Sequence, residues 1–521
     1  MKKIPILLVA IGIGLVLFIA ALRKGSPASA PLELLRQRYA RKHVPSVDHT
    51  KLPALQRVFS SPQQVTEACV SCHTESSKEV MQSSHWNWER AEYIPGRGVR
   101  YIGKKNIINN FCIGVSPNLQ ECDACHAGYG WVDEGFDFSN WRNIDCLACH
   151  DNSNTYLKGM GGYPDPSVNL TTVAQHVGRP LRTNCGTCHF FGGGGNNVKH
   201  GDLEKALFDA GRDVDVHMAS EGEDMQCVAC HTAENHRMLG KMYSVSSMNR
   251  NRSSCEQCHT AAPHNEDMLN EHVSKVSCQA CHIPEYAKVG STRLSWDWSA
   301  AGKLKDGKPY AVKDSLGNDA YLSIKGAFVW GRNVKPEYVW FNGTAGHYLL
   351  GDTVSGDRPI AINSLYGSYD DPDAKIVPVK VQRSVQIYDP VNRILIEPKL
   401  FAEKTGEGAF WKDFDWNRAA EEGMKTVHLP YSGRYTFVRT EMTWPVNHMV
   451  SPKEKAVSCT ECHTRTNGRL ANLGGFYMPG RDYSATVDTL GIGALLVVMA
   501  GIVVHASARV FLRKSHRREL A

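Results

Sequence analysis

Cys255-Glu-Gln-Cys258-His259 and, eighteen residues later, Cys278-Gln-Ala-Cys281-His282 decide how this chain folds. Each is a Cys-x-x-Cys-His pentapeptide, and the eighteen residues between them are too few to build a packed domain of their own. The same pentapeptide stands at Cys69-Cys72-His73, Cys122-Cys125-His126, Cys146-Cys149-His150, Cys185-Cys188-His189, Cys227-Cys230-His231 and Cys459-Cys462-His463. Eight repeats use sixteen of the seventeen cysteines.

The spacing has one strong chemical reading. Two thiols three positions apart add across the two vinyl groups of one porphyrin, and the next residue sets an imidazole under the iron. Spaced cysteine pairs also build zinc sites, but zinc does not require a histidine directly after the second cysteine. With 22 histidines in 521 residues, chance supplies that neighbour about once in 24 pairs, so eight in eight is roughly one in 10^11. Disulfide pairing fails the same test. The expected cofactors are eight covalently bound c-type haems, with the eight motif histidines as proximal iron ligands. The porphyrins then supply much of the buried apolar surface. The fold expected is a mainly α and irregular multihaem cytochrome c fold, short helices and loops wrapped around stacked haems, with little sheet in residues 61–282.

Residues 283–458 carry no motif but hold seven of the eleven tryptophans. Alternating apolar stretches there, such as Lys375-Ile-Val-Pro-Val-Lys-Val and Arg393-Ile-Leu-Ile, predict a mixed, partly β insertion packed on the haem body. Both ends are greasy. Ile4 to Leu22 is uncharged behind Lys2 and Lys3, a signal peptide or signal-anchor over residues 1–24. Leu490 to Ala508 is long enough to cross a bilayer and is followed by Arg509, Arg513, Lys514, Arg517 and Arg518. That basic flank predicts a cytoplasmic tail at 512–521 behind a transmembrane helix at 485–511, with the haem domain on the periplasmic or exterior side. Residues 25–60 read as a stalk, and 459–484 as the eighth haem site and its tail. The formal charge of +6 includes no basic block in the body of the chain, which gives no support to nucleic-acid binding.

Fourteen histidines lie outside the motifs. His505 and His516 fall in or beyond the C-terminal span, and His43 and His49 in the stalk. The rest are His85, His176, His200, His217, His236, His264, His272, His347, His428 and His448, enough for near-complete bis-histidine ligation, which suits electron transfer. Cys112 is the odd thiol. It is either a small buried residue or a group lining a pocket and able to exchange with sulfur–sulfur bonds.

The chain resembles the octahaem c-type cytochromes of the tetrathionate reductase type over roughly residues 60–475. The resemblance rests on Asn109-Asn-Phe-Cys112, Cys125-His-Ala-Gly-Tyr-Gly-Trp131, Asp145-Cys-Leu-Ala-Cys-His-Asp151 with Thr155-Tyr-Leu-Lys158, Asn184-Cys-Gly-Thr-Cys-His-Phe-Phe191 and Trp444-Pro-Val-Asn-His448. It implies that the second haem in chain order, at Cys122, Cys125 and His126, is the reaction site. It further implies Lys158 as that haem's distal ligand, Asn109 and Cys112 beside the pocket, and bis-histidine ligation at the other seven haems. The distal histidines expected are His85, His200, His217, His236, His264, His272 and His448. The resemblance also implies a structural calcium.

The function expected is reduction of a small sulfur or nitrogen oxyanion of the tetrathionate, nitrite or hydroxylamine class. A quinol-linked or cytochrome donor at the membrane would supply the electrons. The alternatives are a conduit without chemistry of its own and an oxidase of the hydroxylamine dehydrogenase kind.

Overall fold

The computed structural model describes residues 46–94, 96–240 and 251–518, with side chains to 511. The chain divides into two compact units, one ending at Val457 and one beginning at Ser458.

In the first unit the haem-motif region is built as expected from short elements. Helix α1 (Pro62–Val70) starts behind Ser61 with proline at its first turn and carries Cys69 near its end. Helix α2 (Arg182–His189) carries the whole fourth motif. The third, fifth and seventh motifs form single helical turns at Leu147–His150, Cys227–Cys230 and Cys278–His282. A helical turn puts residues three apart on one face, so both thiols of a motif can reach the same porphyrin edge. Among the described residues, the sheet here is a hairpin of β1 (Arg90–Ile94) with β2 (Gly98–Ile102) and a two-residue pairing of β3 (Ala233–Glu234) with β4 (Arg237–Met238).

Two expectations are corrected. Residues 48–60 are no stalk: Asp48 caps a short 3-10 turn at His49–Lys51, and Leu55 and Phe59 are buried with Val65, Leu147 and Val173. Strand content also exceeds what a mainly α fold implies, because residues 283–458 supply eleven strands among those described. In chain order these are β5 (Thr292–Asp297), β6 (Ala311–Lys313), β7 (Asp319–Leu322), β8 (Gly326–Gly331), β9 (Glu337–Phe341), β10 (Ala345–His347), β11 (Ile360–Ala361), β12 (Asn363–Leu365), β13 (Lys375–Asp389), β14 (Ile394–Leu395) and β15 (Thr436–Pro445).

Nine of them form one sheet in the order β11-β15-β13-β5-β8-β7-β6, with β9 and β14 also paired to β13. The fifteen-residue β13 is its axis. It runs antiparallel to β15 from Val379↔Pro445 to Tyr388↔Thr436 and parallel to β5. Trp296, Trp298, Phe410 and Trp416 form the aromatic core behind it, closed by helix α3 (Trp416–Thr426).

The middle of β13 is inverted relative to an ordinary amphipathic strand. Lys380, Gln382, Ser384 and Gln386 are buried while Arg383 is exposed. Most of the inward polar atoms are paired, while Gln382 Oε1 and Asn110 Oδ1 have no partner. Gln386 Nε2 donates to Asn109 O (2.8 Å), Ser384 Oγ to Asn110 O (2.8 Å), and Asn110 Nδ2 to Gln382 O (2.6 Å). Lys380 Nζ donates to Val198 O (2.7 Å), Lys199 O (3.1 Å) and Thr292 Oγ1 (2.7 Å). Pairing of this kind offsets the cost of burying polar groups. The strand thereby fixes two loops, 109–112 and 198–200.

In the second unit the eighth motif opens a single turn, Cys459–Cys462, and helix α4 (Ala485–Arg518) follows. Its span Ala485–Phe511 is long and apolar enough to cross a membrane. The N-terminal run at 4–22 lies outside the described residues.

Candidate functional site

Two imidazoles on opposite faces of one iron, each with a metal–nitrogen bond of roughly 2 Å, have ring centres about 6 Å apart. Six motif histidines meet a second histidine at that separation. The pairs are His73 with His49 (6.4 Å), His150 with His236 (6.3 Å), His189 with His85 (6.2 Å), His231 with His448 (6.2 Å), His259 with His217 (6.1 Å) and His282 with His264 (6.1 Å). Several rings spend Nδ1 on a fixed acceptor, which leaves Nε2 for a metal. His150 Nδ1 bonds Gly178 O (2.8 Å), His231 Nδ1 bonds Leu239 O (2.9 Å), and His236 Nδ1 bonds Glu79 Oε2 (2.7 Å). The donor set and its spacing fit haem.

Neighbouring thiols trace how the sites adjoin. Cys69 of the first motif touches Cys146 of the third, and Cys125 of the second touches Cys188 of the fourth. Cys185 of the fourth touches Cys227 of the fifth, and Cys255 of the sixth touches Cys278 of the seventh. Weaker charge interactions join Cys149 to Cys185 and Cys230 to Cys258. Thioethers sit on the porphyrin rim, so adjoining thiols mean adjoining rims. Close thiol pairs thus join motifs one and three, four and five, six and seven, and two and four, and charge interactions at longer range order the pairs one–three–four–five–six–seven, with the second motif as a spur on the fourth.

That spur differs from the rest. The ring of His126 faces no second histidine among the described residues; its ring neighbours are Trp86, Trp88, Trp131, Phe136 and Phe138. Its Nε2 bonds Trp86 O (2.6 Å), Nδ1 is buried and unbonded, and burial pushes the imidazole down to about 4. Lys104, Lys158 and Lys199 all act on the thiol of Cys125 beside it. In the same motif the wholly buried Asp123 has neither carboxylate oxygen bonded, and burial pushes it up to about 7.

Cys112, on the loop with Asn109, acts by charge on Cys122 of this motif. Asn109 Oδ1 accepts from Cys112 N (2.7 Å), closing the loop that β13 holds from behind. Burial pushes the Cys112 thiol up, against the pull of Lys325, Arg293 and Lys104. Arg293 donates to Phe111 O and to Gly193 O (3.3 Å) and lies 3.7 Å over the Trp296 ring. Burial brings its guanidinium down to about 9.

Lys158 reaches the site differently from the sequence expectation. Its Nζ donates to Asp145 Oδ2 (2.7 Å), His126 O (2.6 Å) and Gly128 O (3.1 Å), which uses all three ammonium donors. Asp145 also accepts from Tyr129 and Tyr156. Lys199 has the free amine. It lies 4.9 Å over Trp444 and 5.3 Å over Phe111, donates no hydrogen bond among the described residues, and is brought down to about 8 by burial and by Lys104.

Among the predicted distal histidines, His85, His217, His236, His264 and His448 stand opposite motif histidines, as above. His200 does not: its ring lies against Trp444 at 4.9 Å. His49, assigned by sequence to the stalk, takes a place opposite His73. His272 Nδ1 bonds Met268 O (2.7 Å), and His463 Nδ1 bonds Pro479 O (2.6 Å). No cluster of three or more acidic, histidine or cysteine side chains arranged to hold a metal occurs among the described residues, and none marks the expected calcium. Sequence reasoning missed Lys199, Lys104, Arg293 and Lys325. The one local signal was Lys199 itself, next to His200 behind the run Gly192–Gly195.

Paired imidazoles at iron-bridging distance, each beside a Cys-x-x-Cys-His turn, define a multihaem c-type cytochrome. Residues 293–466 match the family model Cytochrome c bacterial. The crystal structure of octaheme cytochrome c from Shewanella oneidensis is similar with a TM-score of 0.78 and 41% identity, over 84% of this chain and 98% of that one. The chain belongs to the octahaem c-type cytochromes. An uncharacterized protein of Archaeoglobus fulgidus is 24% identical over 223 residues, 33% of this chain and 74% of that protein. This is a redox protein with covalently bound c-type haem iron, and the count of eight carried by its Shewanella relative's name equals the number of motifs here.

Proposed function

We propose that the protein reduces small sulfur or nitrogen oxyanions outside the cytoplasmic membrane, at the second haem site. One observation carries this reading. Among the described residues, His126 is the motif histidine of the first unit that faces aromatic rings and no second histidine, and Lys104, Lys158 and Lys199 act by charge on the neighbouring Cys125. A bis-histidine iron has no open position, whereas an iron with a displaceable ligand can bind substrate.

Bound haem would supply the electrons. The chain's own groups would do the rest. Lys104, Lys199, Arg293 and Lys325 would draw an anion toward Cys112 and hold it by charge in a partly dry pocket. An amine coordinates a metal only when neutral, so the depressed Lys199 suits a displaceable ligand better than Lys158, whose charge holds Asp145. Once displaced, Lys199 would take up a proton and present a cation to the substrate. Lys158, with Asp145, would instead hold the backbone of the second motif in place. For tetrathionate the reaction would be two-electron cleavage of the central S–S bond to two thiosulfates. Nitrite, a monoanion, and neutral hydroxylamine are smaller and would enter the same pocket with less help from its charge. Electrons would arrive from a quinol-linked or cytochrome donor, the α4 span keeping the protein at the membrane.

The test is turnover by the purified holoprotein with reduced viologen and each of the three compounds. Turnover of at least one is expected, together with an EPR signal distinct from the bis-histidine haems that changes on adding substrate. No turnover with any, and a set of low-spin signals indifferent to all three, would leave a plain electron conduit.

A further inference from the structure

The histidines that face the motif imidazoles differ in what their second nitrogen meets, and the difference follows the array. Beside the third motif, His236 Nδ1 donates to Glu79 Oε2 at 2.7 Å. His236 sits at the tip of the β3–β4 hairpin, in the left-handed region at φ 58°, and Arg237 beside it donates to Gln82 Oε1 (2.6 Å). The tip is thus tied at two points to the segment bearing Glu79. Beside the fifth motif, His448 Nδ1 bonds Asp202 Oδ2 at 3.1 Å, and that same oxygen accepts from Asn447 N (2.7 Å) and His448 N (2.9 Å). Asp202 is buried, and its other oxygen has no partner.

The fourth motif, between these two, is the opposite case. Neither His85 nor His189 donates a side-chain hydrogen bond among the described residues, and Lys104 adds positive charge near His189. At the sixth motif Asp215 Oδ1 is 3.8 Å from His217 Nδ1, beyond hydrogen-bond reach. A carboxylate accepting from Nδ1–H makes an imidazole a stronger donor to its metal, which stabilises ferric over ferrous iron and lowers the potential. Nearby cations without such a bond act the other way.

We infer that Glu79 and Asp202 are potential-setting residues that hold the third and fifth haems below the fourth, so that electrons from either arm of the array collect at the fourth and pass on to the second. This rests on the reading that His236 and His448 are axial ligands. In each transfer one electron leaves a ferrous third or fifth haem and reduces a ferric fourth, with no bond or proton exchanged. The electrons come from the quinol- or cytochrome-class donor. The buried Asp202 acts more strongly than Glu79, whose side chain is partly exposed.

The experiment is a potentiometric titration of the holoprotein, followed by EPR and visible spectra, for wild type, Glu79→Gln and Asp202→Asn. Each variant keeps the hydrogen-bond geometry and removes the charge. The expected result is that each raises the midpoint potential of one haem and leaves the others in place, with a larger shift for Asp202→Asn and the low-spin signals preserved. Preserved low-spin signals with no midpoint moved in either variant would overturn the inference. The ligation reading is tested separately by His236→Ala and His448→Ala, each expected to cost one bis-histidine signal. If neither does, the ligand assignment has failed, and the role of the carboxylates falls with it for that distinct reason.

Discussion

Lys158 and Lys199 contain the same amine, and only their surroundings separate them. Lys158 is tied to Asp145 with side-chain exposures of 7% and 0%, a buried pair whose loss on one side leaves an uncompensated charge. Lys158→Ala should therefore cost about 3–5 kcal/mol of stability while leaving the EPR signal of the second haem unchanged. Lys199→Ala should do the reverse, altering that signal and turnover with little loss of stability. Denaturation curves and EPR on the same preparations check both. A second residue-scale prediction concerns pH. Glu397 is buried under Gly114, and burial pushes its carboxyl up from 4.5 to about 8. The folded state thus binds this proton more tightly than the unfolded one. The stability it contributes is full below about 4.5 and is lost as pH climbs through 8. Glu397→Gln should flatten that limb, gaining on wild type between pH 5 and pH 9 in thermal unfolding. An equal difference at both pH values would show that the carboxyl ionises freely. Motif cysteines and proximal histidines are legible in sequence because a covalent reaction dictates their spacing. Distal groups are not, since the iron asks only that an imidazole or amine arrive from anywhere in the chain. Hence nothing local marks His49, which faces His73, or sets apart His200, whose ring lies against Trp444.

At the scale of elements, β13 is where sequence patterning misleads. Val379, Val381, Val385 and Ile387 alternate with polar residues, and the ordinary reading buries the valines and turns Lys380, Gln382, Ser384 and Gln386 to water. The structure turns the polar set inward because the loops beneath it carry unpaired carbonyls, and a carbonyl buried without a donor costs more than a polar side chain brought in to meet it. The strand itself was legible; its facing was not, because the partners lie some 180 to 280 residues earlier in the chain. Gln386→Leu should remove the donor to Asn109 O and the acceptor of Thr440 Oγ1 (2.7 Å), costing about 1–3 kcal/mol. Because Asn109 in turn fixes Cys112, turnover should fall while all haems remain attached. Val385→Thr, at a half-buried position that takes no part in these hydrogen bonds, should change neither. Equal losses from both substitutions, read by denaturant unfolding and viologen assay, would mean that β13 acts as plain scaffold.

For the whole molecule, the question is what the apolar C-terminal helix lies against. The span Ala485–Phe511 is 27 residues, and none of its most apolar window is buried among the described residues. At about 1.5 Å per residue such a helix is roughly 40 Å long, enough to cross a hydrocarbon core of about 30 Å with some tilt. Leaving so many valines and leucines in water would be strongly unfavourable, so the helix needs an apolar medium or a protein partner. The two give different outcomes. With residues 1–24 replaced by a cleavable leader, protein retaining 485–521 should sediment with membranes and resist carbonate extraction. The same protein ending at Ser484 should be soluble, with its haems attached and its turnover by reduced viologen retained. Extraction of the longer form by carbonate alone would mean that the helix docks on a protein. Loss of viologen turnover on truncation would place α4 in the chemistry, since an artificial donor in solution bypasses any membrane partner.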